Sequence, residues 1–512
     1  MSTRHFIILL VFLSVFMSYL MRGINLPFVG PNAGNMNMYS QIARNYIRFG
    51  YRAPINSPSP VLETKPLLYL HHPPLTSILI SVFFRFFGEN YSSARLSQII
   101  PSLFSAILAG IIGSKLWGKT AGFFGTVVYT LLPSSSVFGR ISGLESFTVF
   151  WILLSAVFLI DFRQTARNRS LAVASVCLIF GTWTDWPVAY FAGLAGLFFI
   201  LEKRTRAGFL IWSSAAAAGL IFLVYTVIMA GSLSDLISAI ISRSGGRLLT
   251  LPYWLVKWLV ILAVRAGVYF GPVIMAVFFV FLLKYFSFKS DWKMKFTTLI
   301  GGFAVINILL YPEGSFSHPY WIFYLGPFIA LSTAYTLLRL YNSRQVLAVS
   351  LVLTLSLIWA GRVEGWKTRE IEANLWRWKL ASSSHSVLTP YESVAVNSEA
   401  LIDGDILAYS FGHASTIVPD TASARNGFSH YLYSCRDCVS DSELVKNLSR
   451  YTYSVFTAGE GTVYVFDLAS DPIPFIQASP PLSPVSPLPI QRPSLLKYYY
   501  SRFLMLTEAP QL

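Results

Sequence analysis

Five clusters of lysine and arginine divide this chain into apolar stretches, and that alternation limits the fold more than any single motif. The clusters are Lys115 with Lys119; Arg163, Arg167 and Arg169; Lys203, Arg204 and Arg206; Lys284, Lys289, Lys293 and Lys295; and Arg339 with Arg344. A helix that crosses hydrocarbon needs about 20 apolar residues, and most of the runs between clusters supply two such lengths. The pattern is that of a polytopic α-helical membrane protein. Of the residues, 54% are hydrophobic and 12% charged, where a soluble domain carries about 25% charged. The formal net charge of +15 does not indicate a nucleic-acid partner, because the cations sit in short turns where they report topology. Three cysteines in 512 residues exclude a disulfide scaffold.

The candidate spans are 5–22, 96–114, 120–138, 146–161, 170–183, 187–201, 208–230, 251–283, 296–311, 319–338 and 345–361, eleven in all, several of them shorter than a full span. The first has no small-residue cleavage site and reads as a retained span. With every basic cluster cytoplasmic, each pair of spans between clusters is a hairpin whose tip lies outside. The tips are Arg140–Glu145, Thr184–Pro187, Ser232–Arg247 and Glu313–His318. The same count predicts a cytoplasmic N-terminus in a cell membrane. It puts the long loop 23–95 outside, together with everything after Trp366. The outer face therefore collects nearly every group capable of chemistry.

Within that loop, residues 37–49 predict an interfacial helix. Tyr39, Ile42, Ala43, Tyr46 and Ile47 recur at helical spacing, with Asn35 or Asn37 to cap the start and Gly50 to end it. Arg44 and Arg48 share a second face, suited to lipid phosphates. His71-His72-Pro73-Pro74 opens a further short element, with proline at a helix start. The histidines suit either structural hydrogen bonds or contact with a metal or substrate.

The Tyr39-x-x-Ile42-Ala43-Arg44-Asn45-Tyr46 helix, the His-Pro-Pro step and Ala94-Arg95-Leu96 before the second span resemble the GT-C membrane glycosyltransferases. The closer likeness is to the protein O-mannosyltransferase and lipid A aminoarabinose transferase group, and oligosaccharyltransferases are more distant. The resemblance covers about residues 1–340. It implies a GT-C-like fold and transfer of a sugar from a polyprenyl-phosphate donor to a lipid, glycan or protein acceptor at the extracytoplasmic face. In that family an acidic residue, often an Asp-Glu pair, precedes the interfacial helix. Here Asn35 and Met36 stand there. Asparagine hydrogen-bonds a sugar hydroxyl but accepts no proton at neutral pH, so the acid must come from elsewhere.

Transfer needs a base for the acceptor proton, cations for the departing phosphate and a pocket for the sugar. Glu145, in Gly139-Arg140-Ile141-Ser142-Gly143-Leu144-Glu145, is the first candidate base, since an ionisable group at a span end is functional by default. Asp185, in Thr184-Asp185-Trp186-Pro187, is the second; each also suits a helix start or turn. Glu63, Glu89 and Glu313 are weaker. Asn35 and Tyr39 are expected near the sugar. Arg44, His72, Arg140, Arg243, Arg247, Arg265 and His318 are the candidate ligands of donor and phosphate. Arg243 and Arg247 flank a Ser-Gly-Gly turn able to wrap an anion, and Arg265 lies inside a span, where a charge must face the bundle. A divalent metal, if one takes part, would use His71 and His318.

Three regions result: a transmembrane catalytic part, 1–361; a small α+β extracytoplasmic domain, 362–470; and a Pro-rich extension, 471–512. The domain reads as a helix at 367–380 and strands at 393–396, 406–411, 453–456 and 462–466, with Cys435 and Cys438 spaced for a local disulfide. A non-catalytic lipid-linked-sugar binding protein or flippase-type carrier is the rival. A carrier spreads polar groups along several spans, whereas here they gather at the outer tips.

Overall fold

The computed structural model describes residues 3–30, 32–58, 67–245, 248–287, 291–397, 404–418, 421–425, 427–435, 443–459 and 461–470. Glu63, Arg247, Cys438 and the Pro-rich extension lie outside them. Helix α1 (Thr3–Met21) leads into the long loop, which holds α2 (Ala33–Phe49) and α3 (Leu75–Phe87). The bundle continues with α4 (Tyr91–Trp117), α5 (Lys119–Leu131), α6 (Pro133–Val137), α7 (Glu145–Thr165), α8 (Asn168–Thr182), α9 (Pro187–Leu201) and α10 (Thr205–Ala230). Then follow α11 (Ser234–Gly245), α12 (Trp254–Phe270), α13 (Pro272–Lys284), α14 (Trp292–Leu310), α15 (Pro312–Ser317), α16 (Gly326–Asn342) and α17 (Val346–His385). Among the described residues six helices are long and apolar enough to cross a membrane, or up to eight when each of two bent pairs is one span. Five further apolar helices among the described residues, α1, α3, α8, α9 and α13, fall below that length, so six to eight spans are found where eleven were expected.

The 251–283 stretch is not one span. It breaks at Gly271, whose φ of +84° only glycine adopts readily, and Pro272 starts the next helix at its first position. Close helix contact elsewhere rests on small residues. A Cβ on Gly113 or Gly125 of the α4–α5 pair would meet facing backbone at 2.9 Å. One apolar core runs through the bundle, from Phe16 and Leu20 through Val149, Ile152 and Phe191 to Leu331 and Leu337.

Helix α2 starts four residues before the expected helix, after Asn32 in a left-handed conformation. Asn35 and Asn37 therefore lie inside it rather than capping it. Nor does it bury one face only, for every residue from Tyr39 to Tyr46 is buried. The C-terminal domain covers the other side. Its segment Leu407–Phe411, expected as a strand, is a single wide π-helical turn. Tyr409 on that turn packs on Phe28 and Tyr91.

The domain grows directly from α17, a 40-residue helix within which the expected boundary at 361 falls. Its strands are β1 (Val394–Val396), β2 (Ser415–Ile417), β3 (His430–Cys435), β4 (Tyr453–Ala458) and β5 (Gly461–Asp467), in the order β2-β1-β3-β5-β4. The pairs β1–β2 and β1–β3 are parallel, and β3–β5 and β4–β5 antiparallel. Val394, Val396, Leu432 and Val465 pack against Leu380 of α17. Cys435 is disulfide-bonded.

Candidate functional site

A cavity opens where the start of α2, the hairpin tips and α11 meet. Its wall holds Asn35, Tyr39, His71, His72, Glu145, Asp185, Arg243 and His318. Residues from separate loops, each proposed from sequence, thus share one space. Ser40 meets Ser142 at 3.3 Å, tying α2 to the tip that carries Glu145.

Asp185 is the best-held acid. Proline at the first position of α9 fixes the turn in which it sits. The Tyr324 hydroxyl donates to its Oδ2 at 2.7 Å, and the Trp186 backbone N–H to its Oδ1 at 2.9 Å. His72 Nδ1 lies 2.9 Å from the same Oδ1. The other ring nitrogen, Nε2, lies 2.6 Å from an Arg243 N–H. Arginine only donates, so Nε2 must accept, and the imidazole is neutral with its proton on Nδ1, pointing at Asp185. Burial acts in the same direction, holding the His72 pKa below its ordinary value despite the carboxylate. The result is a relay, Tyr324 to Asp185 to His72 to Arg243, which fixes the guanidinium at the cavity wall. Tyr69 lies against the same guanidinium, and its hydroxyl meets that of Tyr39 at 3.2 Å.

Glu145 differs. It is the first residue of α7, buried, and lines the same cavity. Among the described residues it has no ion-pair partner within 4 Å. Its seat needs Gly143, because a Cβ there would stand 2.6 Å from Glu145 Oε2. Its carboxylate accepts from backbone N–H groups of Leu144 and of Glu145 itself, and no fixed cation neutralises it. Asn35 does not replace the missing acid; its Nδ2 donates to the Tyr320 hydroxyl at 2.7 Å, bracing the wall. His318 stacks on Tyr320 and leans on Trp321. Burial, helped by the charges of Arg243 and Arg265, pushes its pKa down to about 4. It stands as a neutral imidazole.

Three arginines lie apart from this cavity. Arg44 pairs with Glu89 and donates to the Tyr409 carbonyl at 2.7 Å, pinning the C-terminal domain to α2. Arg140 donates to the Tyr19 carbonyl at 2.6 Å and pairs with Glu364 of α17 at 3.0 Å. Arg265, fully buried, donates to the Ser315 carbonyl at 2.7 Å. Glu313 accepts from the Leu248 backbone N–H and from Ser317. All are spent on holding loops. Among the described residues no three His, Cys, Asp or Glu side chains form a metal shell. His71 and His318, the expected metal ligands, both line the cavity.

Sequence reasoning missed Tyr69, Asn307, Tyr311 and Tyr324, which also line the cavity. Each looks like an ordinary interfacial aromatic or a polar residue in a span. A second, apolar groove runs between α9 and α10, lined by Ala189, Gly193, Trp212, Ala215, Gly219 and Leu223. Trp186 lines both the cavity and the groove.

The sequence model of the dolichyl-phosphate-mannose-protein mannosyltransferase family matches residues 37–241. No curated protein sequence matches the chain. Its fold matches that of ArnT from Cupriavidus metallidurans bound to undecaprenyl phosphate, with a TM-score of 0.62 at 12% identity, over 91% of this chain and 98% of that one. It also matches the archaeal oligosaccharyltransferase AglB from Archaeoglobus fulgidus in complex with an inhibitory peptide and a dolichol-phosphate. There the TM-score is 0.54 at 12% identity, over 92% of this chain and 75% of that one. The oligosaccharyltransferase of the same organism with zinc and sulfate gives 0.53 at 12% identity, over 89% and 73%. These neighbours are GT-C glycosyltransferases, the group the first-loop motifs resemble.

Proposed function

We propose that this chain is a membrane glycosyltransferase. It moves a sugar from a polyprenyl-phosphate carrier to a hydroxyl of a lipid, glycan or protein at the extracytoplasmic face. The observation that carries the reading is the pairing, in one cavity, of an unpaired buried carboxylate with a relay-held guanidinium, Glu145 and Arg243. The apolar groove, which shares Trp186 with the cavity wall, suits the isoprenoid chain. The positive-inside pattern supports the outer face.

The roles follow from the partners. Glu145 takes the proton of the acceptor hydroxyl as its oxygen attacks the anomeric carbon. The bond from that carbon to the phosphate oxygen breaks, and polyprenyl phosphate departs with the electron pair. Arg243 meets the charge growing on the phosphate. The relay behind it holds the guanidinium in place beforehand, so little reorganisation is needed at the transition state. Asp185 is then a positioning residue, since its oxygens already serve Tyr324, His72 and the Trp186 N–H. No step is routed through a metal.

The test is release of labelled polyprenyl phosphate by the purified protein in nanodiscs, over a panel of polyprenyl-phosphate sugars and acceptors. Glu145→Gln should lower kcat by at least about 10²-fold, the usual worth of a general base. Asp185→Asn cannot accept from both Tyr324 and His72, and should lower kcat comparably. Wild-type rates in both variants would overturn the assignment. A wild type that binds the carrier yet consumes no donor would favour a binding protein.

A further inference from the structure

Most polar groups in the cavity wall already have partners: Asn35 holds Tyr320, Tyr39 holds Tyr69, Asp185 holds three donors, and Tyr311 meets Tyr190 at 2.9 Å. Among the described residues that line the cavity, one carries a buried side-chain polar atom with no partner. It is Asn307, whose Nδ2 makes no hydrogen bond. Asn307 sits near the end of α14, flanked by Ile306 and Ile308, and is itself only 3% exposed. A polar amide buried in an apolar span without a partner is costly to keep. A structural role would show as a bond to a neighbouring helix, and none exists for this nitrogen. Leucine or alanine would otherwise serve the packing better.

We infer that Asn307 is a specificity residue, which hydrogen-bonds a hydroxyl of the sugar being transferred. The inference rests on the reading of this cavity as the donor site. A hydroxyl both donates and accepts, so it satisfies the amide in either orientation of its oxygen and nitrogen. A phosphate oxygen only accepts, and Arg243, on the α11 side of the cavity, already supplies it with charge-assisted donors. Asn307 lies on α14 beside Tyr311, in an aromatic wall that also holds Trp186, Trp321 and Tyr324. Aromatic rings beside a single directed amide form a site that reads the pattern of hydroxyls on a sugar face rather than a charge.

The experiment compares the full-length wild type with Asn307→Ala and Asn307→Leu, using the preferred polyprenyl-phosphate sugar and its analogues that each lack one hydroxyl. Both variants should lose about tenfold in kcat/KM toward the parent donor, the worth of one buried hydrogen bond. One deoxy donor should show the same loss with wild type and no further loss with the variants. Binding of sugar-free polyprenyl phosphate should be unchanged, and the thermal midpoint should hold or rise, since an unpaired buried amide is removed. Equal wild-type and variant rates across all donors would overturn the inference. So would parallel losses of carrier binding and thermal stability, which mark a structural amide. A wild type that turns over no donor would instead bring down the transferase reading beneath it.

Discussion

Asp185 and Glu145 are two carboxylates in one cavity with opposite surroundings, and their partners assign their work. Sequence ranked both as bases. It put Glu145 first but could not give the two different roles, because the donors on Asp185 come from Tyr324 and His72, 139 and 113 positions away. Histidine and aspartate announce themselves in a loop, so His71, His72, His318, Glu145 and Asp185 were legible. Asn307 was not, since one amide in an apolar helix gives no pattern until its missing partner is seen. His318 also makes acid stability a test. Its folded pKa of about 4 lies below the ordinary 6.5, so the unfolded chain binds the proton more readily. The neutral imidazole costs the fold nothing above pH 6.5. Stability is lost as pH falls from 6.5 to about 4, by at most about 3 kcal/mol at 1.36 kcal/mol per unit. Thermal midpoints from pH 8 to pH 4 should therefore drop on the acid side, and His318→Gln should make that limb shallower. Superimposable limbs would show that the ring is already solvated. His72, also held neutral by burial, adds its own loss in both proteins.

At the level of elements, the apolar helices were readable because lipid leaves a chain few alternatives, but their number as full spans was not, since several are too short. The break at Gly271-Pro272 was written in the sequence as well, but hydropathy averages over it. What could not be read is where the arginines go. Arg44 and Arg140 look like phosphate ligands at a membrane face, yet Arg44 fastens α2 to the C-terminal domain and Arg140 caps the end of α1. Pairing partners hundreds of residues away leave no local trace. The pair of Arg140 with Glu364 is the sharpest case, because Glu364 is wholly buried in α17. Removing one member of a buried pair strands the other charge and typically costs about 3–5 kcal/mol, whereas replacing both is often close to neutral. Arg140→Leu should thus lower the thermal midpoint sharply, and Arg140→Leu with Glu364→Leu should recover most of it. A double variant as unstable as the sum of its singles would mean that the two charges act independently.

Across the whole molecule, the polar cavity and the apolar groove between α9 and α10 lie on either side of one shared wall residue, Trp186. A lipid-linked sugar has the same two-ended character, so the match can be tested through the chain rather than the sugar. Gly193 and Gly219 line the groove, and a Cβ on either meets nothing within 4 Å. Both lie in helices, where replacing glycine normally gains backbone stability. Gly219→Leu should therefore fill the groove without unfolding α10, and the thermal midpoint should hold or rise. A long isoprenoid then loses its seat, while a carrier of two isoprene units is too short to need it. The variant should raise KM for a long-chain donor about tenfold and leave KM for the short-chain analogue unchanged. Gly193→Leu, on the facing helix, should do the same. If both donors weaken equally, the substitutions act on the cavity through Trp186. If neither weakens, the isoprenoid leaves the site by another face, and the groove is a helix–helix gap that lipid fills.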